Sequence, residues 1–137
     1  MERPQDPAPV RYLDRLNYTP YPGSIPIARK RTARLVGEWG HKGLAEDAAL
    51  VLAELLTNAL LHGSLKGQLI PVQLTLTPRT LRIGVADPRG HRVPSIRIAA
   101  DGDQFGRGLL IVDRLAARWG VRPCAVGKEV WAELDLS

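Results

Sequence analysis

Aromatic side chains and thiols are scarce in this 137-residue sequence: Trp, Tyr and Phe together make up 5%, and there is one cysteine, Cys124. With so few rings, the core has to be built from Leu, Val, Ile and Ala. A single cysteine cannot close an internal disulfide, which excludes a disulfide-framed module and fits a reducing compartment such as the cytoplasm. Long hydrophobic runs are missing as well. The apolar stretches are short and interrupted by charge, so no segment has the length of a membrane span. The first twenty residues hold Glu2, Asp6, Asp14 and several prolines where a signal peptide would have an apolar stretch. No internal repeat is present.

What remains is the composition of a globular domain. Hydrophobic residues make up 45% and charged residues 24%, and a chain of this length buries a sizeable core without metals or disulfides. The 19 Lys and Arg outweigh the 14 Asp and Glu, for a formal charge of +5. That balance suits a polyphosphate ligand, an acidic partner, nucleic acid or simply a solvated basic surface. No interleaving of aromatic and basic residues and no recognition-helix pattern supports the nucleic-acid reading.

Residues 1–23 are rich in proline and read as an N-terminal arm, with a short strand near Arg11 to Leu16. The domain proper is expected over 24–137. Ser24 is placed to cap a first helix, with Pro26 in its first turn and Ile27, Leu35, Val36 and Trp39 near helical spacing up to Gly40. A second helix is expected from about Leu44 to Leu61, with Glu46 and Asp47 at the positive end of its dipole and Gly63 closing it. "VQLTLT" (72–77) and "LRIGVAD" (81–87) alternate apolar and polar residues around a Pro78-Arg79-Thr80 turn, the pattern of a hairpin. Residues 88–105 read as loop. "GRGLLIVDRLAARWG" (106–120) places two glycines before a helix with Leu109, Val112, Leu115 and Ala116 on one face. The segment 121–136 reads as a second hairpin turning near Val126 to Lys128. Helices early and late with strands between and after them predict an α+β fold: a two-layer sandwich whose mostly antiparallel, mixed sheet is covered on one face by helices.

Three places carry chemistry. In "AELLTNALLHG" (53–63), Glu54, Asn58 and His62 are four apart and form a polar row on an otherwise apolar helix. A wet face of an amphipathic helix is the plain reading. The functional one takes glutamate as a general base and the asparagine carbonyl as a ligand for a hard cation shared with phosphates. Asp87 ends a strand just before Pro88, where a carboxylate either stabilises a turn or accepts a hydrogen bond from a base edge such as the adenine amino group. Gly106-Arg107-Gly108 enters a helix, so backbone amides can approach an anion there and Arg107 adds a charged donor.

In order, "ELLTNALLHG", "DPRGHRVP" and "GRGLLIVDRLA" resemble the N box and the two glycine boxes of the ATP-binding superfamily of gyrase, histidine kinases and MutL. The branch most similar is that of the anti-sigma-factor serine kinases, whose late Trp-Gly and "GK.VW" wording is matched by Trp119-Gly120 and by Gly127 to Trp131. The resemblance spans residues 24–136. It implies the Bergerat-type ATP-binding fold, ATP and Mg²⁺ as ligands, Glu54 as general base, Asn58 on Mg²⁺, and Asp87 on the adenine amino group. Gly90, Gly106 and Gly108 would line the nucleotide, Arg107 would sit near the terminal phosphate, and residues 95–105 would form the lid. His62 would pack or cap the helix end. Two departures bear on how the nucleotide is held: Arg89 stands where Ser or Gly is usual, and Gly127-Lys128-Glu129 stands where a Thr beside the adenine is usual.

The implied function is a cytoplasmic regulator that phosphorylates an anti-sigma-factor antagonist on serine or threonine and binds a sigma factor, with no direct nucleic-acid or membrane partner and with homodimers common in the branch. A second reading is a nucleotide-gated binding module with little or no phosphotransfer.

Overall fold

The computed structural model of the chain describes residues 9–63, 67–87, 104–125 and 127–136. Within them, five strands and three helices build a two-layer α+β sandwich. Strand β1 (Tyr12–Tyr18) leads to helix α1 (Ser24–Glu38), and a 3₁₀ turn over Lys42–Leu44 opens helix α2 (Ala45–Asn58), which runs on into a π-helical turn over Ala59–Gly63. Strands β2 (Ile70–Leu76) and β3 (Thr80–Asp87) form a hairpin, followed by helix α3 (Gln104–Leu115) and a second hairpin of β4 (Arg118–Cys124) and β5 (Gly127–Asp135). The sheet order is β1-β2-β3-β5-β4, and each of these pairings is antiparallel.

Alternation along the strands sorts the sheet into two faces. Ile70, Val72, Leu74 and Leu76 of β2, Leu81, Ile83 and Val85 of β3, and Val130, Ala132 and Leu134 of β5 all point into one hydrophobic core. They meet α2, whose Val51, Leu52, Leu55 and Leu56 are at most 1% exposed. Helix α2 is apolar nearly all round because α1, α3 and the sheet all pack on it. Each buried leucine contributes about 1.5–3 kcal/mol, so an aliphatic core holds this fold without many rings. No described helix is long and apolar enough to cross a membrane.

The opposite sheet face is polar and carries Glu129 between two arginines. Its carboxylate accepts hydrogen bonds from Arg82 Nη2 and Arg122 Nε, both at 2.7 Å. Burial pushes the Glu129 carboxyl up, but the two guanidinium partners outweigh it and hold it below the usual glutamate range. Gly84 makes room for this cluster: a Cβ there would lie 2.1 Å from Glu129 Oε2. Arg82 also sits over the Trp131 ring, 5.4 Å from its centroid.

The strand expected near Arg11 to Leu16 is β1, which pairs with β2 at the sheet edge. Asp14 ties it to α1 by accepting hydrogen bonds from both terminal nitrogens of Arg31, Nη2 to Oδ1 at 2.7 Å. Tyr12 stacks on Trp39, with ring centroids 5.4 Å apart. Ser24 does not cap α1: it is the first helical residue, Gly23 precedes it as the cap, and its hydroxyl donates to the Thr19 carbonyl at 2.7 Å. Helix α3 ends at Leu115, earlier than its apolar spacing predicts. From Ala117 onward the backbone joins the sheet instead, with the Ala117 amide donating to the Glu133 carbonyl at 2.8 Å.

Candidate functional site

The row on α2 faces the start of α3. Glu54 and Asn58 lie one turn apart, the first half-buried and the second 5% exposed. Ala, Leu and Val supply strong helix packing around them, and Glu46 and Asp47 sit in the first turn, where carboxylates favour the dipole. Across from them is Gly108, in the second turn of α3. A Cβ on Gly108 would stand 2.8 Å from Glu54 Oε2 and 3.8 Å from Asn58 Oδ1. Glycine therefore lets α3 come close to a glutamate carboxylate and an asparagine carbonyl at once.

Asn58 strengthens that assignment. Its Nδ2 is buried and finds no hydrogen-bond partner among the described residues. An unpaired buried donor costs about 1–3 kcal/mol, so a wet-face reading does not fit Asn58, which is buried and has no partner for Nδ2 among the described residues. A polar ligand bound against Asn58 would supply such a partner.

Burial pushes the Glu54 carboxyl above the usual glutamate range, and the charge of Arg29 on α1 acts against that rise. A carboxylate shifted upward in this way is better matched to taking up a proton near neutral pH. Arg29 also lines a groove of about 490 Å³ between α1 and α2 with Lys30, Glu46 and Asp47. Sequence reasoning missed Arg29, because nothing local marks it; only the packing of α1 on α2 brings its charge to bear on Glu54.

The second cluster lies on the sheet. Asp87 follows Leu81, Ile83 and Val85 at period two and so shares their helix-facing side, where it is 4% exposed. Lys128 shares the side of Val130, Ala132 and Leu134 on β5 and pairs in register with Asp87. Lys128 Nζ stands 3.5 Å from Asp87 Oδ2, and both side chains are at least nine-tenths buried. The π-helical turn after Asn58 packs on β3, the strand that ends in Asp87.

Of the residues singled out by sequence, Glu54, Asn58 and Gly108 converge, and Asp87 sits at the end of the central strand with Lys128. The glycine pair differs from expectation in one respect: α3 begins at Gln104, so Gly106 and Gly108 are inside the helix and do not precede it. The Arg107 and His62 side chains, Arg89, Gly90 and residues 95–103 of the expected lid lie outside the described residues. Among the described residues no three of His, Cys, Asp and Glu gather to hold a metal by themselves.

The helix-and-sheet sandwich thus holds a carboxylate, a carboxamide and a helical glycine on one side and a buried carboxylate at a strand end. Residues 20–134 match the histidine kinase-like ATPase domain. The chain belongs to that family, and its domain is of the ATP-binding type. It is also 41% identical over 75 residues to an uncharacterized protein of Streptomyces coelicolor, a match covering 51% of this chain and 68% of the other.

Proposed function

We propose that this chain is a cytoplasmic, ATP- and Mg²⁺-binding regulator that phosphorylates a serine or threonine of an anti-sigma-factor antagonist and binds a sigma factor. The observation that carries the reading is the close approach of Glu54 and Asn58 on α2 to Gly108 on α3. Asn58 is the residue that would hold Mg²⁺. Its Oδ1 lies toward Gly108 and its amide has no hydrogen-bond partner among the described residues, and a hard cation shared with phosphates takes few protein ligands. When bound, the cation supplies charge neutralisation at the phosphates.

Glu54 accepts the proton of the attacking hydroxyl. The oxygen so freed forms its bond to the γ-phosphorus as the bond from that phosphorus to the β,γ-bridging oxygen breaks, and ADP carries the electron pair away. Half-burial suits Glu54 to this work by raising its proton affinity, while Arg29 keeps the ionised form accessible. Asp87 accepts from the edge of the base, and the helix-facing position of its carboxylate supports that assignment.

The test is transfer of the γ-phosphate of labelled ATP to candidate antagonist proteins by the wild type and by Glu54→Gln, with ATP binding followed by calorimetry. Transfer by the wild type, lost in Glu54→Gln with ATP binding retained, supports the kinase. The second reading, a nucleotide-gated binding module, draws on the buried Lys128–Asp87 pair at the proposed base position. ATP binding by the wild type with no transfer to any antagonist, alongside ATP-dependent capture of a partner, selects it over the kinase.

A further inference from the structure

Asp87 is paired at the end of β3. Lys128 is opposite it in the β3–β5 register, on the same helix-facing side, with Nζ 3.5 Å from Oδ2 and both side chains nine-tenths buried. We propose that Lys128 sets base selectivity in this domain, so that 6-oxopurine nucleotides, GTP and ITP, are accepted alongside ATP. The inference rests on the reading that Asp87 meets the edge of the base.

The chemistry follows from what each group offers. An ionised carboxylate only accepts hydrogen bonds, and an ammonium only donates them. A lone carboxylate at the base edge selects an amino group, as in adenine, and repels the 6-keto oxygen of guanine or hypoxanthine. An ammonium beside it supplies a donor for that keto oxygen, while the adjacent N1–H of a 6-oxopurine donates to the carboxylate. Adenine satisfies the same two groups in the opposite sense, its amino group giving to Asp87 and its N1 receiving from Lys128. The pair thus removes the repulsive contact on which rejection of a keto base depends. Burial on both sides keeps water from standing in for either partner.

The experiment is calorimetric binding of ATP, GTP and ITP, each with Mg²⁺, to the full chain as wild type, Lys128→Met and Lys128→Thr. A hydrogen-bonded base contact discriminates on the order of 10- to 100-fold. The expected wild-type result is Kd values for GTP and ITP within about tenfold of that for ATP, and in both variants a further loss for GTP and ITP of about tenfold or more relative to ATP. A wild type preferring ATP by more than about 100-fold, or ratios unchanged in the variants, overturns the inference while leaving nucleotide binding intact. Failure of every nucleotide to bind the wild type overturns the nucleotide reading itself, and the selectivity claim with it. The wild-type ratio involves no substitution, so a folding defect in a variant does not shelter the claim.

Discussion

Replacing Gly108 with alanine separates the stability of this chain from its chemistry. Gly108 is inside α3 and does not adopt a positive φ, so alanine fits the backbone without strain. Alanine in a helix interior is favoured over glycine by about 1 kcal/mol. Against this stands the new methyl group, 2.8 Å from Glu54 Oε2, which the carboxylate relieves by rotating away at a cost of about 0.5–1.5 kcal/mol. The two effects nearly cancel, so the melting temperature is expected to stay within roughly 4 °C of wild type. Function does not benefit from that cancellation. Displacing a reacting group by about 1 Å costs on the order of 10²-fold in rate, and the methyl also comes to 3.8 Å from Asn58 Oδ1. Scanning calorimetry paired with γ-phosphate transfer and ATP titration reads both quantities on one preparation. A Gly108→Ala protein that melts normally, binds ATP as wild type and transfers phosphate at the wild-type rate would refute the placement of the ligand between α2 and α3.

Three further expectations test the electrostatics and the frame. Glu54 works as a base only when ionised and its carboxyl lies above the usual glutamate range, so the acid limb of the kcat profile falls above that range; Arg29→Gln removes the opposing charge and moves the limb to still higher pH, and a shift downward contradicts the assignment. Glu129 lies below the usual range in the folded state, so its contribution to stability is full above the unfolded glutamate pKa and is lost as pH falls through the lowered one. Gly84→Ala, whose Cβ would meet Glu129 Oε2 at 2.1 Å, expels that carboxylate and is expected to cost about 1–3 kcal/mol at neutral pH in urea titrations, with a smaller deficit in acid; equal losses at both pH values would sink this account. Asp14→Ala frees Arg31 and costs about 1–3 kcal/mol. Amide exchange should then quicken across Tyr12–Tyr18 and stay slow in β3, whereas uniform quickening would mean that the Asp14–Arg31 pair supports more than the edge strand.

The sequence made the first hairpin and α2 legible because local periodicity and tertiary burial agree there. In β2 every second residue faces the core, and in α2 the leucines point wherever a neighbour packs. Helix α3 was overextended for the opposite reason. Its apolar spacing continues through Ala116, but the Glu133 carbonyl offers the Ala117 amide a sheet partner, and pairing wins over propensity from there on. The polar row was legible as far as the described side chains reach: Glu54 and Asn58 both lie on the side of α2 that meets Gly108, and the His62 side chain lies outside the described residues. Nothing along the sequence marks Arg29 as a neighbour of Glu54 or Lys128 as a partner of Asp87. Their partners are 25 and 41 positions away in the chain, and no pattern along a sequence encodes such a meeting; it arises when α1 lies on α2 and β5 on β3.

Asp87 and Lys128 belong to two strands bonded to each other within the sheet, while Glu54, Asn58 and Gly108 belong to helices that lie on top of it. On the proposed roles, selection of a nucleotide and manipulation of its phosphates fall to different layers of the sandwich. Substitutions in the strands are then expected to retune which base is welcome without disturbing proton transfer, and changes in the helices to silence transfer while leaving a competent nucleotide sensor behind.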